Sequence, residues 1–162
     1  MASTYTPIAT TNAGGLQTIT FSSIPSTYTD LRIVCNSSSA DQNVFIRVGN
    51  GSVDTGSNYS QTVFYGDGTN ALSGRASNAT RFSYNDGSAL SAATIDIMNY
   101  SNTNVNKTCL IRSNPNTGIT RVEAYVELWR STSAINIITI FTSGVLNFST
   151  GSTFTLYGIK AA

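Results

Sequence analysis

The chain of 162 residues contains no histidine. Histidine is the side chain that most often moves protons near neutral pH and the commonest metal ligand, so its absence lowers the expectation of acid/base and metal catalysis together. Charge is scarce as well. Only 10% of residues are charged, nine Lys plus Arg against eight Asp plus Glu, for a net charge of +1. The charges stand singly rather than in stripes, whereas a nucleic-acid partner would call for a basic face. No apolar run approaches the ~18 residues of a spanning helix, and Met1 to Gly15 has neither the basic n-region nor the apolar h-region of a signal peptide. A soluble protein made without export, with no membrane and no nucleic-acid partner, is expected. Only Cys35 and Cys109 are available as thiols. They read as buried, reduced side chains packing as small hydrophobes, with a disulfide between them as the competing reading.

What fills the chain instead is Ser, Thr, Asn and Gly around a 40% hydrophobic fraction, enough for one real core. Apolar residues recur with period two and not at i, i+3, i+4, so the chain reads as all-β. Alternation marks Leu31-Ile33-Cys35, Val44-Ile46-Val48, Ile95-Ile97 and Val105-Cys109-Ile111. Further strands are expected at Leu16–Phe21, Tyr59–Tyr65, Thr80–Tyr84, Ala134–Phe141 and Ser152–Lys160. The clearest strand runs from Ile119 to Arg130, with Val122, Ala124, Val126 and Leu128 on a core face and Glu123, Tyr125, Glu127 and Trp129 on a polar one. Asn50-Gly51, Asp67-Gly68, Asp86-Gly87 and Thr117-Gly118 supply residues that tolerate positive φ in tight turns. About ten short strands without helix predict an antiparallel two-sheet sandwich of jelly-roll type. Residues 16–162 form a single domain in this reading. Residues 1–15 form an extended arm ending in the Gly14-Gly15 joint, either pairing with a neighbouring subunit or fraying. Gly51 to Asn78 reads as long loops around one strand.

Chemistry is thin. Glu123 and Glu127 share a strand face, but four residues of strand separate them by about 13 Å, against about 5 to 9.5 Å for glycosidase carboxyl pairs. Asp96 could complete a cross-strand pair, while Arg112, Arg121 and Lys107 are the expected structural partners of these acids. A Ser or Cys nucleophile without histidine would need Lys107 or Lys160 as base, and no Gly-x-Ser-x-Gly, phosphate-binding loop or zinc spacing occurs. Gly66–Asn70 and Asn85–Ser88 offer calcium-type oxygens but only one carboxylate each, which fits plain turns better. No catalytic residue, metal or cofactor is expected. The Asn-x-Ser/Thr triplets arise by chance in such a composition. Exposed aromatics remain as contact candidates, drawn from Tyr59, Tyr65, Tyr84, Tyr100, Tyr125 and Trp129. Trp129 is balanced between an interface and loop packing.

Tyr5-Thr6-Pro7-Ile8-Ala9-Thr10-Thr11 and Phe21-Ser22-Ser23-Ile24-Pro25-Ser26-Thr27-Tyr28-Thr29-Asp30-Leu31 resemble a family of small structural proteins of tailed bacteriophages, especially aquatic and cyanobacterial ones. Ile97–Thr103, Leu128–Thr132 and Gly151–Ala162 continue the resemblance in order along nearly the whole chain. The resemblance implies a particle component assembled in the host bacterial cytoplasm. Three functions are weighed on it. The first is a trimeric decoration or cement protein bridging the major capsid protein, stabilising the assembled shell by mass action, with contacts through Tyr5, Pro7, Ile8, Tyr59, Tyr65 and Trp129. The second is a receptor-binding tail-fibre or spike module reading host glycan through Tyr59 and Tyr65. The third is a carbohydrate-active enzyme using Glu123 and Glu127.

Overall fold

The computed structural model describes residues 4–116 and 121–160. Within them run thirteen strands and no helix: β1 (Tyr5–Asn12), β2 (Thr18–Phe21), β3 (Asp30–Ser37), β4 (Asn43–Asn50), β5 (Ser52–Val53), β6 (Tyr59–Gly66), β7 (Ala71–Ala79), β8 (Phe82–Asn85), β9 (Ser91–Ile97), β10 (Lys107–Ser113), β11 (Val122–Trp129), β12 (Ile137–Thr142) and β13 (Thr153–Ile159). Every strand pair is antiparallel.

Eight strands form one sheet in the order β1-β13-β3-β9-β10-β11-β6-β7, and five form the other, β2-β12-β4 with β5 and β8 sharing the outer edge of β4. The first four strands of the large sheet, β1-β13-β3-β9, are matched in the small one by β2-β12-β4-β8. Each sequence-adjacent pair, β1β2, β3β4, β8β9 and β12β13, therefore crosses from one sheet to the other, which is the jelly-roll winding. β10, β11 and the β6–β7 hairpin extend the large sheet past this eight-strand roll.

The core lies between the sheets. Leu31, Ile33, Ile95, Ile97, Ile111 and Leu156 face inward from the large sheet, and Val44, Ile46, Val48, Ile138, Ile140 and Phe82 answer from the small one. β-Branched side chains suit these pleated, fully covered positions, and each buried one is worth about 1.5–3 kcal/mol. Gly158 shows how tightly the roll closes. A Cβ there would sit 2.3 Å from the Tyr28 ring, so only glycine lets that ring lie against β13.

Several expectations shift. The stretch expected as an arm is β1, an edge strand of the chain's own large sheet, paired with β13 from Tyr5 opposite Ile159 to Asn12 opposite Thr153; residues 1–3 lie outside the described residues. Its free edge carries Pro7 and a bulge between Pro7 and Ala9, both of which discourage pairing with a further strand. Ala71–Ala79, expected as loop, is a nine-residue strand whose small residues gave no alternation to detect. Gly51 and Gly68 do take positive φ, but Gly87 does not. Gly87 is required for space instead, since a Cβ would meet Ala89 O at 2.6 Å and Asn116 N at 2.7 Å. The Thr117-Gly118 turn and Ile119 lie outside the described residues. Cys35 and Cys109 are free and buried. They stand on β3 and β10 with β9 between, about 10 Å apart across the sheet and about 13 Å along it, too far to be bridged.

Candidate functional site

Strand β11 is turned the opposite way from its hydrophobic pattern. Glu123, Tyr125, Glu127 and Trp129 point into the sandwich, while Val122, Ala124, Val126 and Leu128 face outward. The cause is the free edge of β8, whose backbone N–H groups at Ser83 and Asn85 have no strand to receive them. Glu127 Oε1 accepts from Ser83 N–H at 3.1 Å, and the Tyr125 hydroxyl accepts from Asn85 N–H at 3.1 Å. The Tyr125 hydroxyl in turn donates to Glu123 Oε2, and Asn85 Nδ2 donates to Glu123 Oε1 at 3.0 Å. Side chains of one sheet thus replace the missing neighbour of the other, as buried polar groups require.

The electrostatics follow from this burial. Glu127, 1% exposed, is pushed well above the usual carboxylate range by desolvation, against the lowering effect of the Ser83 bond, and its Oε2 has no partner. Desolvation first and the Glu123 hydrogen bond second raise Tyr125. Arg121 Nε lies 2.5 Å from Glu123 Oε1, an ion contact whose N–H is not aligned as a hydrogen bond. Of the expected partners, only Arg121 reaches one of these acids. Arg112 pairs with Asp96, and Lys107 donates to the Val105 and Thr132 carbonyls while burial lowers its pKa. Asp96 cannot complete a pair with Glu123 or Glu127, because it stands on the outer face, where Arg32 and Arg112 clasp it. Burial pushes the Cys35 thiol up to about 12 and raises Cys109 as well, leaving both unreactive.

Trp129 and Tyr59 are also interior, which removes both as exposed contact residues. Trp129 Nε1 donates to Asp54 Oδ2 at 2.8 Å, and the Tyr59 hydroxyl accepts from Val48 N–H at 3.2 Å and donates to the Asp54 carbonyl at 2.9 Å, so both pin the loop between β5 and β6. Their apolar bodies outweigh one polar tip once that tip finds a partner. The remaining candidates do not converge. Tyr5 packs edge-on against Tyr157 and accepts from Arg32 Nη1 at 2.8 Å; Pro7 is exposed beside it, and Ile8, at the bulge, is partly buried against the core. Tyr65 lies far across the same sheet on β6, half-buried under the Arg121 guanidinium, 5.2 Å from its ring.

The two turns with calcium-type oxygens are closed on themselves. Asp67 accepts from Thr69 and Asn70 N–H, bonds that lower its pKa. Asp86 is buried, accepts from Ser91 Oγ at 2.5 Å, and is raised by desolvation. Among the described residues no group of three or more His, Cys, Asp or Glu gathers to hold a metal.

Two surface features were not anticipated. On the outer face of the large sheet, Val122 (68% exposed), Phe64 (53%) and Val126 (46%) stand in solvent, and the first two line a groove of about 890 Å³ together with Ala92 and Ala124. On the outer face of the small sheet, Phe45 and Phe141 sit on paired strands with ring centroids 5.6 Å apart. Arg81 stacks 4.0 Å over Phe45, and Arg47 5.0 Å over Phe141. No protein-family model matches the chain, and no curated protein matches it either.

Proposed function

We propose that this jelly roll is a non-enzymatic building block of a tailed-phage particle, as its sequence resemblance implies, and that within the particle it serves as a capsid decoration protein. The observation that carries the reading is the reversed strand β11. Burying Glu123 and Glu127 in the core leaves Val122, Val126 and neighbouring Phe64 in water, an apolar face that the fold itself does not need. Contiguous exposed apolar surface of this kind marks contact sites. A contact of about 800 Å² per partner, the usual size of a stable interface, would cover it. The two strand carboxylates are occupied as caps of β8 in the interior, where no polysaccharide reaches them.

In this reading the outer face of β6, β10 and β11 joins one subunit to the next in a trimer or to the shell protein beneath. Val122→Glu with Val126→Glu tests the contact. Both side chains point to solvent, so the melting temperature of the monomer is expected to hold while the oligomer seen by light scattering, or the copy number on purified particles, falls. Quantifying the protein in particles that carry its gene tests the location, with tens to hundreds of symmetry-related copies expected. A few copies confined to the tail, or an unchanged assembly in the double variant, would refute the proposal.

A further inference from the structure

We infer that the Arg81–Phe45–Phe141–Arg47 ladder on the outer face of the small sheet binds an anionic saccharide, through the carboxylate or sulfate groups of the chain. The site is independent of the assembly face, being on the opposite side of the sandwich.

Most arginines of the protein are occupied. Arg32 and Arg112 share Asp96, Arg121 contacts Glu123, and Arg130 donates to the Ser57 carbonyl and to Asn78 Oδ1. Arg81 differs. Among the described residues it has neither an ion pair nor a hydrogen bond, and its recorded contact is with the Phe45 ring. Arg47 uses one N–H, from Nε to the Thr80 carbonyl at 3.2 Å, and likewise meets no carboxylate. Stacking engages only the face of a guanidinium. It fixes the plane and leaves the in-plane N–H groups free for a bidentate acceptor, the geometry that carboxylate and sulfate offer. Two half-buried arginines are held this way, one on each ring of the stacked pair, with donors that the protein leaves unfilled.

The surroundings select the kind of anion. A groove of about 400 Å³ runs beside Arg81, Phe45 and Phe141, with Arg47 beyond its Phe141 end; Thr18 and Ser143 add hydroxyl groups suited to sugar hydroxyls, and Gln17, whose Nε2 donates to the Gly144 carbonyl, adds its amide oxygen. Its size falls at the small end of ligand pockets. Asp41, at the rim, accepts from Ser143 N–H and forms no ion pair with either arginine. A nucleic acid would need more than two cations along its backbone. A peptide added to the open edge of β2, where Thr18 lines the groove, would lie in the plane of the sheet and not over the rings of Phe141 and Phe45 on β12 and β4. A neutral sugar would want the aromatic faces that the guanidiniums already cover.

Titration calorimetry of the full chain at low salt tests this with oligomers of alginate (carboxylate), carrageenan (sulfate), dextran (neutral) and polyglutamate (acidic peptide). Saturable binding of the alginate or the carrageenan oligomer is expected, and which of the two binds identifies the anion. Arg81→Gln and Arg47→Gln should each weaken it at least tenfold with an unchanged melting temperature. Phe45→Leu keeps both charges and removes one stacking platform, so a several-fold loss is expected from a built site. The inference is overturned if neither anionic saccharide binds, if dextran or polyglutamate binds as tightly, or if all three variants bind like the parent.

Discussion

Glu127 offers the most direct check on the reversed strand. Its carboxyl is interior, held by one bond from Ser83 N–H, and desolvation raises its pKa from an unfolded value near 4.5. Between that value and the folded pKa the native state binds the extra proton. Stability supplied by the group is therefore complete below pH 4.5 and is lost as pH rises toward the folded pKa. The slope for one such group approaches about 1 kcal/mol per pH unit between the unfolded and folded pKa values. In a domain of this size each kcal/mol lost lowers the melting temperature by roughly 2–4 °C. Glu127→Gln keeps the volume and an acceptor for Ser83 but removes the titration. Calorimetric melting of parent and variant from pH 4.5 to 7.5 should show the variant gaining on the parent at every step upward. Asp86, also raised by burial, titrates in both proteins and cancels to first order. Glu127→Leu should then cost a further ~1–3 kcal/mol at all pH values, because the Ser83 donor is left buried without an acceptor. A parent-to-Gln difference that is flat with pH would refute the interior placement of this carboxyl.

Trp129→Phe removes the bond from Nε1 to Asp54 and should cost about 1.5–3 kcal/mol in denaturant unfolding at neutral pH. Burial raises Asp54, but its hydrogen bonds from Trp129, Asn58 and Gly56 outweigh that and hold its pKa down, so the difference from the parent should shrink as pH falls through the folded pKa; a difference that persists in acid would contradict the assignment. Gly158→Ala drives a methyl into the Tyr28 ring and should destabilise by about 1–3 kcal/mol. Adding Tyr28→Ala should make the alanine at 158 nearly silent, and strict additivity of the two changes would show that the contact is not the cause.

The jelly-roll core was legible because its strands carry their information locally. Leu31-Ile33-Cys35 and Val44-Ile46-Val48 alternate, and each alternation names its inner face. β11 misled because both faces are plausible interiors. Val122, Ala124, Val126 and Leu128 are apolar, but Tyr125 and Trp129 bury more area, and their polar tips reach β8 and Asp54 only in the folded roll. β7 was missed because an edge strand exposed on most of its length needs no alternation. The arginine–phenylalanine ladder depends on Phe45 lying opposite Phe141, a register between distant segments that no local pattern encodes.

The position of the last two strands bears on how the protein is made. β12 lies between β2 and β4, and β13 between β1 and β3. Until they arrive, β1 is separated from the rest of the large sheet and β2 from the rest of the small one. A ribosome delivering the chain from the N-terminus presents four unpaired strand edges that only β12 and β13 can seal, so the roll cannot close before both have emerged. Until β12 and β13 emerge, those edges are where a nascent copy would capture a neighbour. Loss of β13 would strip β1 of its partner and leave the edge of β3 open.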